Sequence, residues 1–460
     1  MSFASIDFLI FFAVVLSGTV IIDKLFPQRV KEFFLLAASY FFYGYWDWRF
    51  CFLLLFVTVS SYFTAKYSHL KPVFITGVVV PLAVLGFFKY FNFFLGSAAA
   101  IVGKELGALR IILPVGISFY TFQALSYVID VRRKKIPVET DFIKLALYIS
   151  FFPQLVAGPI VRAADFLPQL RERRTVSVDN LKWGLQVFAF GLFKKIVLAD
   201  HISVFVDDVY SKPAAFHWAT IVFAAISYSL QIYFDFSGYS DMAIGCAKCL
   251  GYDFNKNFNL PYISQSATEF WRRWHISLST WLKEYLYIPL GGNRKGKARQ
   301  YINLMLTMLL GGLWHGANWT FVFWGGINGL ALCLDKIRHE KSRTGILRAI
   351  KIVATFLFIT FTWIFFRADS FSTAWIVIKG IFTLQDGIRQ PFTWSIVALV
   401  LLVACSIAAE VKSRGEQTTN GYYPILNLDS VGGLTVFFTV LGLILALAYT
   451  GENPFVYFQF

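Results

Sequence analysis

The sequence has 460 residues, of which 57% are hydrophobic and 15% are charged, and its mean hydropathy is +0.60. In a soluble domain roughly a quarter of the residues are charged. This composition therefore excludes an ordinary water-soluble protein and predicts an integral membrane protein. The net charge of +15 comes largely from short basic loops between apolar segments, such as residues 132–135. This placement is typical of cytoplasmic loops, and because no reading module accompanies it we expect no nucleic-acid partner.

The first apolar segment, at about residues 5–23, is expected to be a membrane span that the protein retains. A cleaved signal peptide begins with a basic region, whereas the first basic residue here is Lys24. Lys24, Arg29 and Lys31 follow the segment, and such residues favour the cytoplasmic side. We therefore expect the N terminus outside and the first loop inside.

Further apolar segments follow along the chain. A bilayer span needs about 20 mostly apolar residues, and the later candidates lie at roughly residues 33–63, 73–95, 111–131, 143–161, 183–205, 218–235, 240–252, 302–333, 350–367, 370–384, 393–410 and 433–450. Several are too short or too long for one crossing, so we expect about 11 transmembrane helices plus re-entrant or interfacial helices. The predicted fold class is an all-α integral membrane protein with a single polytopic membrane domain over residues 1–460.

Residues 233–245, YFDFSGYSDMAIG, carry acidic residues within apolar flanks. Asp235 and Asp241 stand there with Ser237 and Ser240 between them. One interpretation is an acid that orients a catalytic imidazole. The other, which we favour on the residues alone, is a helix start capped by Ser and Asp.

Other chemical signatures are sparse. Cys246 and Cys249 form a CxxC pair, but no second pair or nearby histidine completes four ligands, so we interpret them as helix-packing residues and expect no metal site. The sequence contains no GxSxG, GxxxxGK[ST], HExxH or GxGxxG motif. This weighs against a serine hydrolase and against a nucleotide-driven pump.

Residues 271–285, WRRWHISLSTWLKEY, predict an amphipathic helix. Its Trp and Leu residues recur at helical spacing, and its basic residues supply a cationic complement. Such a helix is expected at a membrane interface, with the Trp rings at headgroup level. His275 lies within it, and a lone histidine there is either a packed, hydrogen-bonded ring or a functional group.

Residues 303–334 form an apolar run that six glycines interrupt. An unbroken helix of this length would measure about 50 Å against a bilayer core of about 30 Å, so the run must tilt, break or extend beyond the bilayer. At the first interruption, GGLWHGANW, His315 stands between Trp314 and Gly316. Ionisable groups in membrane segments face the protein interior or a cavity, and a neutral imidazole accepts a proton from an alcohol. His315 is therefore a candidate general base.

Several long motifs together resemble the membrane-bound O-acyltransferase (MBOAT) family. They are PYISQSATEFWRRWHISLSTWL at 261–282, GGNRKG at 291–296, LLGGLWHGANWTFVFWG at 309–325, LPVGISFYTFQALSYVIDV at 113–131, FFPQLVAGPIVR at 151–162 and YFDFSGYSDMAIG. The resemblance covers most of residues 80–335, the expected MBOAT core, and is strongest to the bacterial branch that acetylates alginate and peptidoglycan. Gln154 departs from some alginate-type members, which carry His at that position.

This resemblance implies a ring of tilted helices around a funnel. It implies that His315 is the catalytic base and that His275 is a second catalytic histidine on the cytosolic side of the funnel. The expected substrate-binding residues are Trp314, Asn318, Asp235 and Asp241, with Trp314 and Asn318 near the developing oxyanion.

The leading hypothesis is a multi-pass O-acyltransferase of the bacterial inner membrane that serves O-acetylation of a cell-surface polysaccharide. Its donor would be acetyl-CoA or another acetyl thioester, with no bound cofactor. Membrane lipid surrounds such a protein, and a periplasmic serine-dependent partner would pass the acetyl group to the polysaccharide acceptor. The alternatives are a transporter of an activated acyl carrier that does no chemistry, and a structural scaffold for an assembly complex.

Overall fold

The computed structural model describes residues 1–103, 107–156, 158–338, 343–391, 393–413, 426–449 and 451. These residues form nineteen α-helices: α1 (Ile6–Leu25), α2 (Gln28–Asp47), α3 (Arg49–Lys66), α4 (Lys71–Val102), α5 (Ile117–Arg132), α6 (Phe142–Ser150), α7 (Phe152–Leu155), α8 (Ala163–Arg171), α9 (Val178–Leu192), α10 (Asp200–Ser211), α11 (Trp218–Cys249), α12 (Ala267–Arg273), α13 (Ile276–Leu282), α14 (Gly296–His315), α15 (Trp319–Ile337), α16 (Gly345–Arg367), α17 (Phe371–Phe382), α18 (Thr393–Ser413) and α19 (Val431–Leu447). Short π-helical segments occupy Phe193–Ala199 and Lys283–Tyr287, and short 3-10 turns occupy Pro213–Ala215 and Pro261–Ile263. The all-α prediction is confirmed.

The chain divides into two compact units. The first comprises Met1–Phe190, Tyr239–Asn255 and Pro424–Leu434, and the second comprises Gly191–Gly238, Lys256–Tyr423 and Thr435–Phe460. The chain crosses between the units within α11. Both predicted catalytic histidines belong to the second unit.

Five helices in the described part of the chain are long and apolar enough to cross a membrane: α1, α3, α4, α11 and α16. The prediction of a membrane protein with several spans is confirmed by this finding. The number of about 11 spans stays a prediction.

Residues 33–63, which are long enough for a kinked span or two short elements, form parts of two helices, α2 and α3, which are separated at Trp48. Another pair of predicted segments differs in the structure. Residues 218–235 and 240–252 were predicted as separate spans but lie largely in one 32-residue helix, α11. Asp235 and Asp241 therefore lie in a helix interior. The interpretation of this segment as a capped helix start is wrong, because the apolar run is continuous on both sides of the two acids.

The predicted amphipathic helix over residues 271–285 is broken. Helix α12 ends at Arg273, Trp274 has extended backbone angles, and α13 begins at Ile276. The Trp274 and Trp281 side chains are buried in the protein, so these two rings do not face lipid headgroups, while the position of the segment at the membrane interface stays a prediction. Their aromatic surface packs against other protein side chains instead.

The predicted break in residues 303–334 occurs directly after His315. Gly316 is extended, and α15 starts at Trp319 with the Asn318 side chain accepting a hydrogen bond from the Thr320 N–H. Helices α14 and α15 then pack closely as an antiparallel pair. A Cβ atom on Gly312 would lie 2.2 Å from the Phe321 carbonyl oxygen, and one on Gly325 would lie 2.2 Å from the Met308 carbonyl oxygen. Only glycine fits at these two positions, and the close approach fixes the place of His315.

Candidate active site

A cavity of about 600 Å³ lies in the second unit. Its walls come from α12, α13, α14, α15 and the connections between them, all within residues 268–336. His315 and Trp324 are among the lining residues, so the cavity reaches the predicted base. The lining residues are Thr268, Trp271, Arg272, Ile276, Leu278, Ser279, Thr280, Leu282, Lys283, Tyr287, Ile288, Gly292, Asn293, Arg294, Gln300, Leu304, Thr307, Met308, Gly311, His315, Trp324, Leu332 and Lys336.

His315 is the last residue of α14, and 4% of it is exposed. Its ring centroid lies 5.1 Å from that of Trp314, 5.2 Å from that of Trp324 and 5.3 Å from that of Phe366, each at a steep interplanar angle. Three aromatic rings thus surround the imidazole, which borders the cavity as well. This arrangement shields the imidazole from bulk water, which favours proton transfer between a base and a bound alcohol.

The exposed part of the cavity lining is cationic. Arg272, Lys283, Arg294 and Lys336 are all exposed, and within the described residues none of the four forms an ion pair. Among the described residues that line the cavity there is no Asp or Glu, whereas Ser279, Thr280, Thr307, Asn293 and Gln300 add hydroxyl and amide groups. Unpaired cations beside hydroxyl and amide donors suit an anionic ligand such as a phosphate.

No sequence pattern predicted this cationic cluster. Arg294 lies in the motif GGNRKG, and Arg272 is one of the basic residues of the predicted amphipathic helix. Nothing in the sequence indicates that a basic residue in a loop and a basic residue on a helix border the same cavity. Only the packing of α12 against α15 brings Arg272 and Lys336 to one cavity.

His275 occupies the break between α12 and α13 and is 1% exposed. It is absent from the cavity lining. Its backbone φ of 43° lies in the left-handed region, and its Nδ1 atom lies 3.2 Å from Oδ1 of Asn257. His275 lies outside the five candidate spans, and its burial lowers the pKa of its imidazole to about 3. Its role as a second catalytic histidine stays a prediction.

Trp314 and Asn318 lie on either side of the break after α14. The Trp314 ring is buried and contacts both predicted catalytic histidines, with centroid distances of 5.1 Å to His315 and 6.1 Å to His275. The Asn318 side chain accepts a hydrogen bond from the Thr320 N–H and donates one to the Asp369 carbonyl oxygen. These contacts explain Asn318 as a helix cap, while its predicted contact with substrate stays a prediction.

The two acids of α11 have different surroundings. Asp235 is 1% exposed, and its Oδ1 atom lies 2.7 Å from Nζ of Lys195, which also contacts Asp200 at 2.6 Å. Asp241 is half-buried and belongs to the first unit. Asp235 thus forms an ion pair with an ammonium group. The predicted contacts of Asp235 and Asp241 with substrate stay predictions.

The fold and the site define a polytopic membrane protein with a cavity that a buried histidine borders. A family model described as the membrane-bound O-acyltransferase family matches residues 33–343. The chain belongs to this family and is an acyltransferase.

Curated relatives cover most of the chain. A "Probable alginate O-acetylase AlgI" of Pseudomonas aeruginosa is 43% identical over 399 residues, which are 83% of this chain and 75% of the relative. Its counterpart in Azotobacter vinelandii is 42% identical over 401 residues, 83% of this chain and 80% of the relative. A peptidoglycan O-acetyltransferase of Helicobacter pylori is 38% identical over 394 residues, 78% of this chain and 74% of the relative. The chain is thus similar to proteins named as O-acetylases of alginate and as an O-acetyltransferase of peptidoglycan.

Proposed function

We propose that this protein transfers an acetyl group from a cytosolic acetyl thioester and delivers it across the bacterial inner membrane for O-acetylation of an alginate-type or peptidoglycan-type polysaccharide. The observation that carries the proposal is the position of His315, which is buried among aromatic rings and yet borders a cavity with an exposed cationic lining. The names of the relatives support acetyl as the acyl group and a polysaccharide as its destination.

The reaction needs one base and one leaving group. His315 accepts the proton of the acceptor hydroxyl while the hydroxyl oxygen attacks the thioester carbonyl carbon. The C–S bond of the tetrahedral intermediate then breaks, and the departing thiolate takes the proton from the imidazolium. A positioned base contributes roughly 10²–10⁴-fold to the rate. Alignment of the two substrates and stabilisation of the oxyanion would supply more.

The cationic lining is the proposed entrance for the donor. Acetyl-CoA carries phosphate groups at one end and its thioester at the other. Arg272, Lys283, Arg294 and Lys336 would contact the phosphates, and the thioester end would extend toward His315. Basic residues favour the cytoplasmic side of a membrane protein, which supports a cytosolic donor and an orientation suited to the inner membrane.

The acceptor polysaccharide lies on the opposite side of that membrane. We therefore include in the proposal a periplasmic partner whose serine hydroxyl receives the acetyl group and passes it to the polymer. A serine is a suitable carrier because its ester stores the acyl group between two transfer steps.

Replacement of His315 tests the proposal. In a host whose polysaccharide acetylation depends on this gene, His315→Ala and His315→Gln should reduce saponifiable [14C]acetate in the polymer by about 10²–10⁴-fold, since both remove the base. His69→Ala is the matched control because His69 is exposed and belongs to the first unit. It should keep wild-type acetylation at equal membrane abundance.

The same experiment addresses the rival function. A transporter of an activated acyl carrier would also suit a broken helix with a buried histidine. Such a transporter needs no base, so substantial acetylation in the His315→Ala strain would refute the transferase mechanism. The identity of the labelled polymer, alginate or peptidoglycan, would settle which substrate class applies.

A further inference from the structure

The turn at His275 has an unusual backbone. A left-handed conformation is unfavourable for a non-glycine residue and persists where the surroundings fix it. Here it separates α12 from α13, so that the chain changes direction between two seven-residue helices.

Asn257 fixes this turn. It is 0% exposed, and its Oδ1 atom accepts hydrogen bonds from the Ser277 N–H at 3.1 Å and the Ser277 hydroxyl at 2.9 Å, beside the 3.2 Å contact with Nδ1 of His275. The Ile276 N–H donates to the Asn257 carbonyl oxygen, and the Asn259 N–H donates to the Arg273 carbonyl oxygen. The segment after Lys256 thus holds the whole turn on both sides.

The turn determines a wall of the cavity. Helix α13 begins directly after His275, and its residues Ile276, Leu278, Ser279, Thr280 and Leu282 line the cavity that His315 borders. His275 itself does not line it. If α12 continued as a regular helix through residue 275, each of these side chains would point in a different direction.

The His275 ring also supports the ring next to the base. It packs edge-on against Phe236, with centroids 4.6 Å apart, and lies parallel to Phe258 at 6.4 Å. On another side it contacts Trp314 at 6.1 Å, and Trp314 contacts His315 at 5.1 Å. A chain of packed rings therefore runs from His275 through Trp314 to His315.

We propose that His275 is a positioning residue for His315 rather than a proton-transfer group: Asn257 holds its left-handed turn, the turn places α13 as a cavity wall, and the ring supports Trp314 against the catalytic imidazole. The proposal rests on the proposed function of His315. It assigns Asn257 a role as well, since this amide fixes both the turn and the ring orientation.

Three substitutions separate packing from acid–base chemistry. His275→Phe keeps a planar ring and removes both nitrogen atoms. His275→Gly adopts the left-handed turn without steric cost and removes the ring. His275→Asn suits the left-handed turn and keeps a donor toward Asn257, but lacks an imidazole. Each is measured in the full chain, in membrane vesicles, with [14C]acetyl-CoA as the donor and with rates normalised to folded protein.

The proposal predicts that His275→Phe keeps kcat within about tenfold of the wild-type value. His275→Gly should have a kcat at least tenfold lower than that of His275→Phe. In both variants KM for acetyl-CoA should change less than kcat. The pH–rate profile of His275→Asn should keep its wild-type shape. If all three variants fall to the level of His315→Ala, His275 is a catalytic residue and the proposal is refuted. If all three keep the wild-type kcat per folded protein, the turn is only structural and the proposal is equally refuted.

Asn257 provides a second test in case the His275 variants do not fold. Asn257→Leu removes the acceptor at similar volume, and Asn257→Asp retains it. The proposal predicts that Asn257→Leu lowers kcat at least tenfold without moving the pH–rate profile and that Asn257→Asp restores most of the rate. A displaced profile in Asn257→Leu would refute it. Activity in His315→Ala would instead refute the proposed function, so the two failures are distinguishable.

Discussion

The Nζ atom of Lys195 lies 2.7 Å from Oδ1 of Asp235, and the two side chains are 5% and 1% exposed. Lys195 also contacts Asp200 at 2.6 Å, so one ammonium group stands between two buried carboxylates. The π-helical segment Phe193–Ala199 precedes Asp200 and carries Lys195. This cluster ties the start of α10 to the middle of α11.

Replacement of Lys195 should be strongly destabilising. Lys195→Met leaves two buried carboxylates without their shared cation and should lower the free energy of unfolding by about 3–5 kcal/mol. Asp235→Asn should lower the free energy of unfolding by a smaller amount, because Lys195 still pairs with Asp200. Lys212→Met, which breaks an exposed pair with Asp208, should cost less than about 1 kcal/mol. Thermal unfolding of the three detergent-solubilised variants ranks their losses of stability. Equal midpoint temperatures for all three variants would contradict the prediction.

The close packing of α14 and α15 predicts a sharp difference between adjacent glycines. Gly325→Ala would place its Cβ 2.2 Å from the Met308 carbonyl oxygen, whereas Gly326→Ala would place it 3.4 Å from a Leu309 side-chain carbon. Gly325→Ala should therefore lower the free energy of unfolding by about 1–3 kcal/mol or more, because the added methyl group overpacks the helix pair. Gly326→Ala should be neutral or slightly stabilising, since Ala favours a helix.

Thermal unfolding and acetyl transfer in the two variants check this prediction. A displacement of α15 should reduce the activity of Gly325→Ala as well as its stability, because Trp324 and His315 border the same cavity. An active Gly325→Ala variant with a wild-type unfolding temperature would show that the two helices tolerate separation.

The cationic cavity lining predicts weaker donor binding when its charges are removed. Arg272→Gln and Lys283→Gln should each raise KM for acetyl-CoA by about two- to fivefold, as expected for exposed charges, with a smaller change in kcat. The effect should shrink at high salt because the charges are screened. Lys297→Gln is the control, since Lys297 is exposed but does not line the cavity. If the Arg272→Gln, Lys283→Gln double variant keeps the wild-type KM for acetyl-CoA, the donor does not bind at this cavity lining.

Burial of His275 predicts an acid-sensitive stability. Because burial lowers the pKa of His275 from 6.5 to about 3, the unfolded chain binds a proton between these pH values while the folded protein does not. The free energy of unfolding therefore falls as the pH falls through this window, by at most about 1.4 kcal/mol per pH unit from this group.

Unfolding temperatures of wild type and His275→Asn between pH 7.5 and pH 5 measure this contribution. The wild-type protein should lose more stability than the variant over that range, because the variant has no imidazole to protonate. Acid titration of carboxylates affects both proteins and cancels in the comparison. Parallel curves would mean that His275 is accessible to protons in the folded state.

Part of the site was predictable from the sequence because its signals are local. A histidine in an apolar run broken by glycines indicated a buried imidazole at a helix end, and His315 is the last residue of α14 beside an internal cavity. The ion pair of Asp235 with Lys195 was not predictable, for the opposite reason. Its surroundings depend on Lys195, which lies 40 residues earlier in the chain and appears in no shared motif.

Hydropathy and motif spacing by themselves determined the membrane class, the all-helical fold and the family, since these follow from which residues can contact lipid and from long runs of matching sequence. Tertiary structure alone decided that the four cations border one cavity, that His275 adopts a left-handed turn outside it, and that Asp235 pairs with an ammonium group. These features arise from side chains distant in sequence that helix packing brings within a few ångströms, and no local pattern encodes such distances.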